Sequence, residues 1–261
     1  MQSEAEAKAC CADLYQSDMA KLIMGDTLHP GGLGLTNKLG RLMGLQSGDL
    51  VADLAIACGE SAQALSRVFH CSVLGIEFGA EAVRHAQDSA PESSNVRFVR
   101  GDAERLPFRT GAFDAEVCEC SVSLFINKDQ TVAETARLLK PGGRFGLSDV
   151  TIEPEALPPE LGGELGQVLC MTNALTSDGY VELLEEGGFT VTERLDASTE
   201  ILKILDEVEG KLAAFLAFQR MTGAAVGESQ LERSPELVAT VRSMVMSGEL
   251  GYWLFVGEKR D

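Results

Sequence analysis

Leu50-Val51-Ala52-Asp53-Leu54-Ala55-Ile56-Ala57-Cys58-Gly59-Glu60-Ser61 decides how this chain folds. It reads as a short apolar strand, then a turn of small residues, then a helix start. A strand–turn–helix unit of this kind carries the first strand of an open α/β sheet up to a ligand. Small residues let the backbone come close to that ligand. The helix that follows offers it unpaired N–H groups. A dinucleotide-type loop places glycines at 55, 57 and 59, whereas this chain has Ala55, Ala57 and Gly59, with Cys58 among them. Taken alone, the stretch is equally a hydrophobic strand before an amphipathic helix.

Downstream, strands and helices alternate. Ser61 to Phe69 is predicted helical, Ser72 to Glu77 a strand, Ala80 to Ser89 a helix, and Val96 to Val99 a strand running into Gly101-Asp102-Ala103. Phe113 to Cys118 is a fourth strand. Gln130 to Leu139 is a helix closed by the turn Lys140-Pro141-Gly142-Gly143, after which Arg144 opens a fifth strand. Residues 151–176 read as loop and short helix. Asp178 to Gly187 is then a helix, Thr190 to Leu195 a strand, Thr199 to Arg220 and Pro235 to Ser247 helices, and Tyr252 to Val256 a final strand. Upstream, residues 4–24 form an amphipathic helix, His29 sits in the loop of Leu28-His29-Pro30-Gly31-Gly32, and Thr36 to Met43 is a short helix. The alternation predicts a doubly wound, mostly parallel seven-stranded α/β sheet with a helical N-terminal segment and a C-terminal helical insertion. The expected division is a cap over 1–44, a core over 45–198, and the insertion with the last strand over 199–261.

Composition narrows the function. The 261 residues are 45% apolar and 24% charged, enough for a normal core, and the formal net charge is −18. Such a chain lacks the clustered Lys and Arg that nucleic acid or anionic membrane requires. No stretch is long or apolar enough to span a bilayer, and Met1-Gln2-Ser3-Glu4-Ala5-Glu6 is unlike a signal peptide. A cytoplasmic location is expected, with thiols reduced. The seven cysteines, at 10, 11, 58, 71, 118, 120 and 170, form no paired CxxC knuckles, and there are three histidines. A structural zinc site is not expected.

Four features fall where strand ends converge: the 55–59 loop, Glu77, Asp102 with Ala103, and Cys118-Glu119-Cys120-Ser121. A carboxylate ending strand two accepts both hydroxyl hydrogens of a ribose. An acid after strand three accepts from an exocyclic amine, and the next N–H donates to a ring nitrogen. Singly, Glu77 is a solvated strand end and Asp102 a cap; jointly, in this order, they describe a nucleoside site.

Val51-Ala52-Asp53-Leu54, Gly75-Ile76-Glu77, Gly101-Asp102-Ala103-Glu104-Arg105-Leu106-Pro107-Phe108, Phe113-Asp114 and Leu138-Leu139-Lys140-Pro141-Gly142-Gly143 resemble the successive motifs of class I S-adenosylmethionine-dependent methyltransferases. The resemblance covers about residues 40–195. It implies that Asp53, Ala55 and Gly59 hold the methionine part of the cofactor S-adenosylmethionine, Glu77 the ribose, and Asp102 with Ala103 the adenine. Phe78 and Glu119 complete the expected contacts. The chain departs from the family at Ala55 and Ala57, since alanine restricts positive φ.

The cysteines point to the acceptor. Lys8-Ala9-Cys10-Cys11-Ala12, the segment from Cys118 to Leu124, and the segment from Val168 to Leu175 resemble the cysteine-bearing segments of arsenite methyltransferases. That resemblance implies Cys120, Cys170 and Cys11, with Cys10 as its neighbour, as thiolate ligands of trivalent arsenic, whose lone pair takes the methyl group, with a thiol as co-substrate. A further family cysteine has no counterpart, Ala62 standing in its place. Cys71 reads as a buried filler, and so does Cys118, facing away from Cys120's side by strand alternation, while Cys58 either fills space or is a fourth thiol facing the substrate, the first being preferred. One alternative keeps the fold and changes the acceptor to a small carbon, oxygen or sulfur nucleophile, with Glu119 or His29 as base. Another is a non-catalytic metalloid- or thiol-sensing module with a decayed cofactor loop.

Overall fold

The computed structural model describes residues 29–91, 94–222 and 234–260. The expected helix over 4–24, and with it Cys10 and Cys11, lies outside the described residues.

Helix α1 (Gly32–Leu42) leads into β1 (Leu50–Leu54), α2 (Glu60–Phe69), β2 (Ser72–Glu77), α3 (Ala80–Ser89), β3 (Val96–Arg100) and β4 (Phe113–Glu119). Next come α4 (Lys128–Leu138), β5 (Leu139–Ile152), the short α5 (Gly163–Val168), α6 (Ser177–Glu186), β6 (Phe189–Asp196), α7 (Thr199–Thr222), α8 (Ser234–Ser247) and β7 (Leu250–Lys259). The seven strands make one sheet in the order β3-β2-β1-β4-β5-β7-β6. Strands β1 to β5 pair in parallel, and β7 runs antiparallel to both β5 and β6, so the sheet is mixed with one reversed strand. The order reverses beside β1, which puts the carboxyl ends of β1 and β4 at the switch point where such sheets bind ligands.

Alternation along the strands divides the core into two apolar layers. Val51, Val73 and Val117 pack on one face with Leu39 and Leu65; Ala52, Leu54, Ile76 and Leu147 pack on the other with Leu138, Leu184 and Phe255. Helix α1 lies against α2 through Gly40, where a Cβ would run into the Phe69 ring.

Two local expectations change. Pro30-Gly31-Gly32 does not separate a loop from a helix at Thr36, because α1 begins at Gly32 with Gly31 at φ 77° before it. Lys140-Pro141-Gly142-Gly143 is not a turn that precedes β5 but a bulge inside it. Phe113 pairs with Leu139 and Ala115 with Arg144, so Asp114 alone faces four residues. Its carboxylate takes Lys140 Nζ at 2.6 Å and the Leu50 N–H at 2.9 Å, which holds the bulge against the start of β1.

Candidate active site

The 55–59 loop follows the path that glycines permit, although two of its residues are alanines. Ala55 has φ 58°, Ala57 φ 48° and Gly59 φ 80°. An L-residue held there costs about 1–2 kcal/mol, so the fold over-determines this path. Ala55 N–H donates to Ile76 O at 2.8 Å, Gly59 N–H to Ile56 O at 2.8 Å, and Ala57 N–H to Glu77 Oε2 at 3.2 Å. The other Glu77 oxygen accepts from Gly79 N–H at 2.9 Å. Burial pushes the Glu77 carboxyl above its usual range, against the pull of these donors.

Asp53, at the end of β1, is 2% exposed, and its Oδ2 has no hydrogen-bond partner among the described residues. Burial, then the charges of Glu119 and Glu77, push its carboxyl well up. Asp102 Oδ1 accepts from Glu104 N–H at 3.1 Å, which shapes the turn that presents Ala103 beside the end of β2. Phe78 is held from β3: Arg100 Nε donates to its carbonyl at 3.0 Å and the guanidinium lies 5.8 Å from its ring. Asp53, Ala55, Gly59, Glu77, Phe78, Asp102, Ala103 and Glu119 thus gather at the carboxyl ends of four adjacent strands. The residues fit an S-adenosylmethionine cofactor. The orphaned, buried Asp53 oxygen and its two carboxylate neighbours suit a ligand that brings ammonium and sulfonium charge.

Beyond β4 the chain turns sharply, and Cys120 takes φ 50° while its N–H donates to Ser148 O at 2.7 Å. Two residues apart on a regular strand, Cys118 and Cys120 would share a face. Cys118 does face away from Cys120's layer, but the left-handed turn at Cys120, not alternation, separates them. Cys170, also left-handed at φ 59°, follows α5. Its Sγ lies 3.1 Å from Cys120 Sγ and 3.2 Å from Cys120 O. Both are buried thiols, not joined in a disulfide. The neighbouring Cys170 sulfur, then burial, push the Cys120 thiol well up. Asp149 on β5 completes a group whose ligand atoms lie within 4.8 Å of one another. Its carboxylate accepts from Ser123 N–H at 2.8 Å and Ser123 Oγ at 2.9 Å, which pins the turn behind Cys120. Burial pushes Asp149 up to about 6.

Sequence reasoning missed Asp149; its one signal was a lone acid in an apolar strand. It also read His29 as a turn residue. His29 is 4% exposed, and Nε2 lies 3.6 Å from Glu119 Oε2 and 3.4 Å from the hydroxyls of Thr36 and Ser61. Thr36 Oγ1 donates to Glu119 at 3.0 Å. Cys71 is buried filler, as expected. A groove of about 520 Å³ opens at the amino ends of the strands, beside Leu50 and Phe113, away from this chemistry. Among the described residues no helix is long and apolar enough to cross a membrane.

Residues 53–147 match the model of the methyltransferase domain. An O-methyltransferase of Aspergillus sclerotiorum is 24% identical over 228 residues, covering 86% of this chain and 81% of its own. An arsenite methyltransferase of Halobacterium salinarum is 27% identical over 217 residues, covering 76% of this chain and 54% of its own. The fold is shared with phosphoethanolamine N-methyltransferase 2 of Haemonchus contortus in complex with S-adenosyl-L-methionine, at TM-score 0.77, 16% identity, and 96% and 60% coverage. Residues 53–147 thus carry a methyltransferase domain, and the chain is a methyltransferase that uses S-adenosylmethionine.

Proposed function

We propose that the methyl acceptor is trivalent arsenic held by Cys120 and Cys170, with Cys11, next to Cys10, as the third sulfur. The observation that carries this reading is the buried Cys120–Cys170 pair, 3.1 Å apart at the end of β4. Each thiol that replaces a hydroxide on arsenous acid forms an As–S bond and releases one water, the thiol proton leaving with the hydroxide. Loading therefore starts from the thiol form, and the raised pKa of Cys120 is no obstacle. Two sulfurs spaced by the fold hold the metalloid without the entropy of collecting free thiols. An external thiol completes or exchanges the remaining ligands.

S-adenosylmethionine, when bound, supplies an electrophilic methyl group. Asp53, Ala55 and Gly59 hold its methionine part, Glu77 its ribose, and Asp102 with Ala103 its adenine. The burial of Cys120 and Cys170 keeps water from the arsenic lone pair. No general base is needed, because that lone pair carries no proton. The test is product analysis after incubation with S-adenosylmethionine, a thiol and arsenite. Cys120→Ser with Cys170→Ser lowers methylated arsenic by about 100-fold or more; a double variant as fast as the parent overturns the reading.

The buried His29–Glu119 contact favours a second reading, transfer to a small oxygen or carbon nucleophile that must lose a proton. Under it, His29→Gln abolishes turnover and the cysteine variants do not. The third reading, a sensing module with a decayed loop, loses its motive, since Ala55 and Ala57 keep the glycine path.

A further inference from the structure

Asp53, Glu77 and Glu119 share one buried end of the sheet. Among the described residues no lysine or arginine forms an ion pair with any of them. The three are held differently. Glu77 rests on two backbone N–H groups, and Asp53 has an oxygen with no partner among the described residues. Glu119 is braced by side chains from outside the sheet. The Thr36 hydroxyl on α1 lies 3.0 and 3.2 Å from its two oxygens, and His29 Nε2 lies 3.6 Å away. His29 is itself fixed, its Nδ1 3.2 Å from Pro30 O and its Nε2 3.4 Å from Ser61 Oγ. Glu119 thus sits between Asp53, on the neighbouring strand, and Cys120, the next residue in the chain.

The direction of the cofactor follows from its covalent order. Its sulfur lies between the ribose and the transferred methyl. With the ribose at Glu77 and the acceptor at Cys120, the sulfur spans the interval that Glu119 flanks. We propose that Glu119, braced by Thr36 and His29, selects the charged methyl donor over the neutral thioether product. S-adenosylmethionine and S-adenosylhomocysteine carry the same ammonium, carboxylate, ribose and adenine, so Asp53, Glu77 and Asp102 treat them alike. They differ in the methyl group and the positive charge on sulfur. A carboxylate fixed beside that charge in a water-poor site attracts the donor and has no such attraction for the product. Transfer thereby weakens the hold on the spent cofactor and promotes its exchange.

The inference rests on the acceptor reading only for the direction of the sulfur. Its test uses no acceptor, so failure of the arsenic reading and failure of this one are separate results. Calorimetry of both ligands against the parent and Glu119→Gln gives the ratio of their dissociation constants. The variant lowers the parent's preference for S-adenosylmethionine about tenfold, mainly through weaker binding of that ligand. Asp53→Asn serves as the contrast and weakens both ligands alike. Thr36→Val lowers the preference about twofold to threefold, and Thr36→Ser restores it, which keeps the test open should Glu119→Gln fail to fold. Equal weakening of both ligands by Glu119→Gln, or an unchanged ratio in it and in Thr36→Val, overturns the proposal.

Discussion

The proposed cofactor end collects Glu77, Asp53 and Glu119 from β2, β1 and β4, strands that are neighbours in the sheet. The proposed acceptor end collects Cys120, Asp149 and Cys170 from the tip of β4, from β5 and from the loop after α5. The first end follows from a parallel sheet: each strand delivers one residue at its carboxyl edge. The second depends on backbone departures, because Cys120 and Cys170 meet only where both take left-handed φ. The two ends also hold different charge. One gathers carboxylates and calls for cationic ligand groups. The other gathers two buried thiols beside a single carboxyl group and suits a thiophilic centre.

Separating the ends by mutation tests that contrast, and the largest effect is expected at Asp53. Asp53→Ala should weaken S-adenosylmethionine binding about 30-fold to 100-fold, the range for losing a buried charged hydrogen-bond partner, while leaving the arsenic bound per chain unchanged. Cys170→Ser should do the reverse. Cofactor calorimetry and metal analysis of the same samples read both quantities, and a variant that lowers both together breaks the division.

Next in size is the dependence of stability on pH. Burial raises the carboxyls of Asp53, Glu77, Glu116 and Asp149. Raised acids bind more protons folded than unfolded, so their ionisation costs stability as pH climbs. For Asp149 the window runs from the unfolded value, about 4, to about 6. Stability should therefore increase by roughly 1–3 kcal/mol from this group between pH 7 and pH 4. Glu134 acts oppositely: its Arg137 partner holds it low, so its contribution is present above the unfolded pKa and is lost as pH falls through the folded one. Urea melts from pH 7 to pH 4 should show stability rising before it falls, and Asp149→Asn should flatten the rise. A steady decline from pH 7 would sink this assignment.

The smallest effect belongs to the loop. Ala55→Gly and Ala57→Gly should each change stability by about 0–1 kcal/mol in the stabilising direction, relief of the left-handed strain being partly offset by the more flexible unfolded chain. Cofactor affinity should hold within about threefold, since the backbone path stays the same. Thermal melts and calorimetry together check it; loss of affinity would show that the alanine methyls themselves touch the cofactor.

The convergence of acids at the strand ends was legible in the sequence because its signals are local. Asp53, Glu77 and Asp102 each close an apolar run, and parallel alternation places such residues side by side. Cys120 and Cys170 were legible only through resemblance, since no spacing rule joins residues 50 apart. Asp149 showed only as a lone acid in an apolar strand and Thr36 not at all, because their meaning is a contact across elements. His29 reads as a turn residue beside proline and glycine, and only the packing of α1 on the sheet turns it inward. The bulge at Lys140 to Gly143 hid for the opposite reason: a proline and two glycines look like a boundary even where the strand continues.

Strand β7 also bears on how the chain assembles. It lies between β5 and β6, pairing Arg144 with Glu258 and Phe189 with Lys259. Of the seven strands it is the last to be synthesised, yet it fills an interior slot. Until it arrives, β5 exposes an unpaired hydrogen-bonding edge and β6 lacks its sheet neighbour. Closing the sheet then requires contacts between residues far apart in the chain, which fold slowly. The wait leaves a sticky edge beside the strand that carries Asp149, so aggregation during synthesis, more than unfolding afterwards, is the hazard built into this topology.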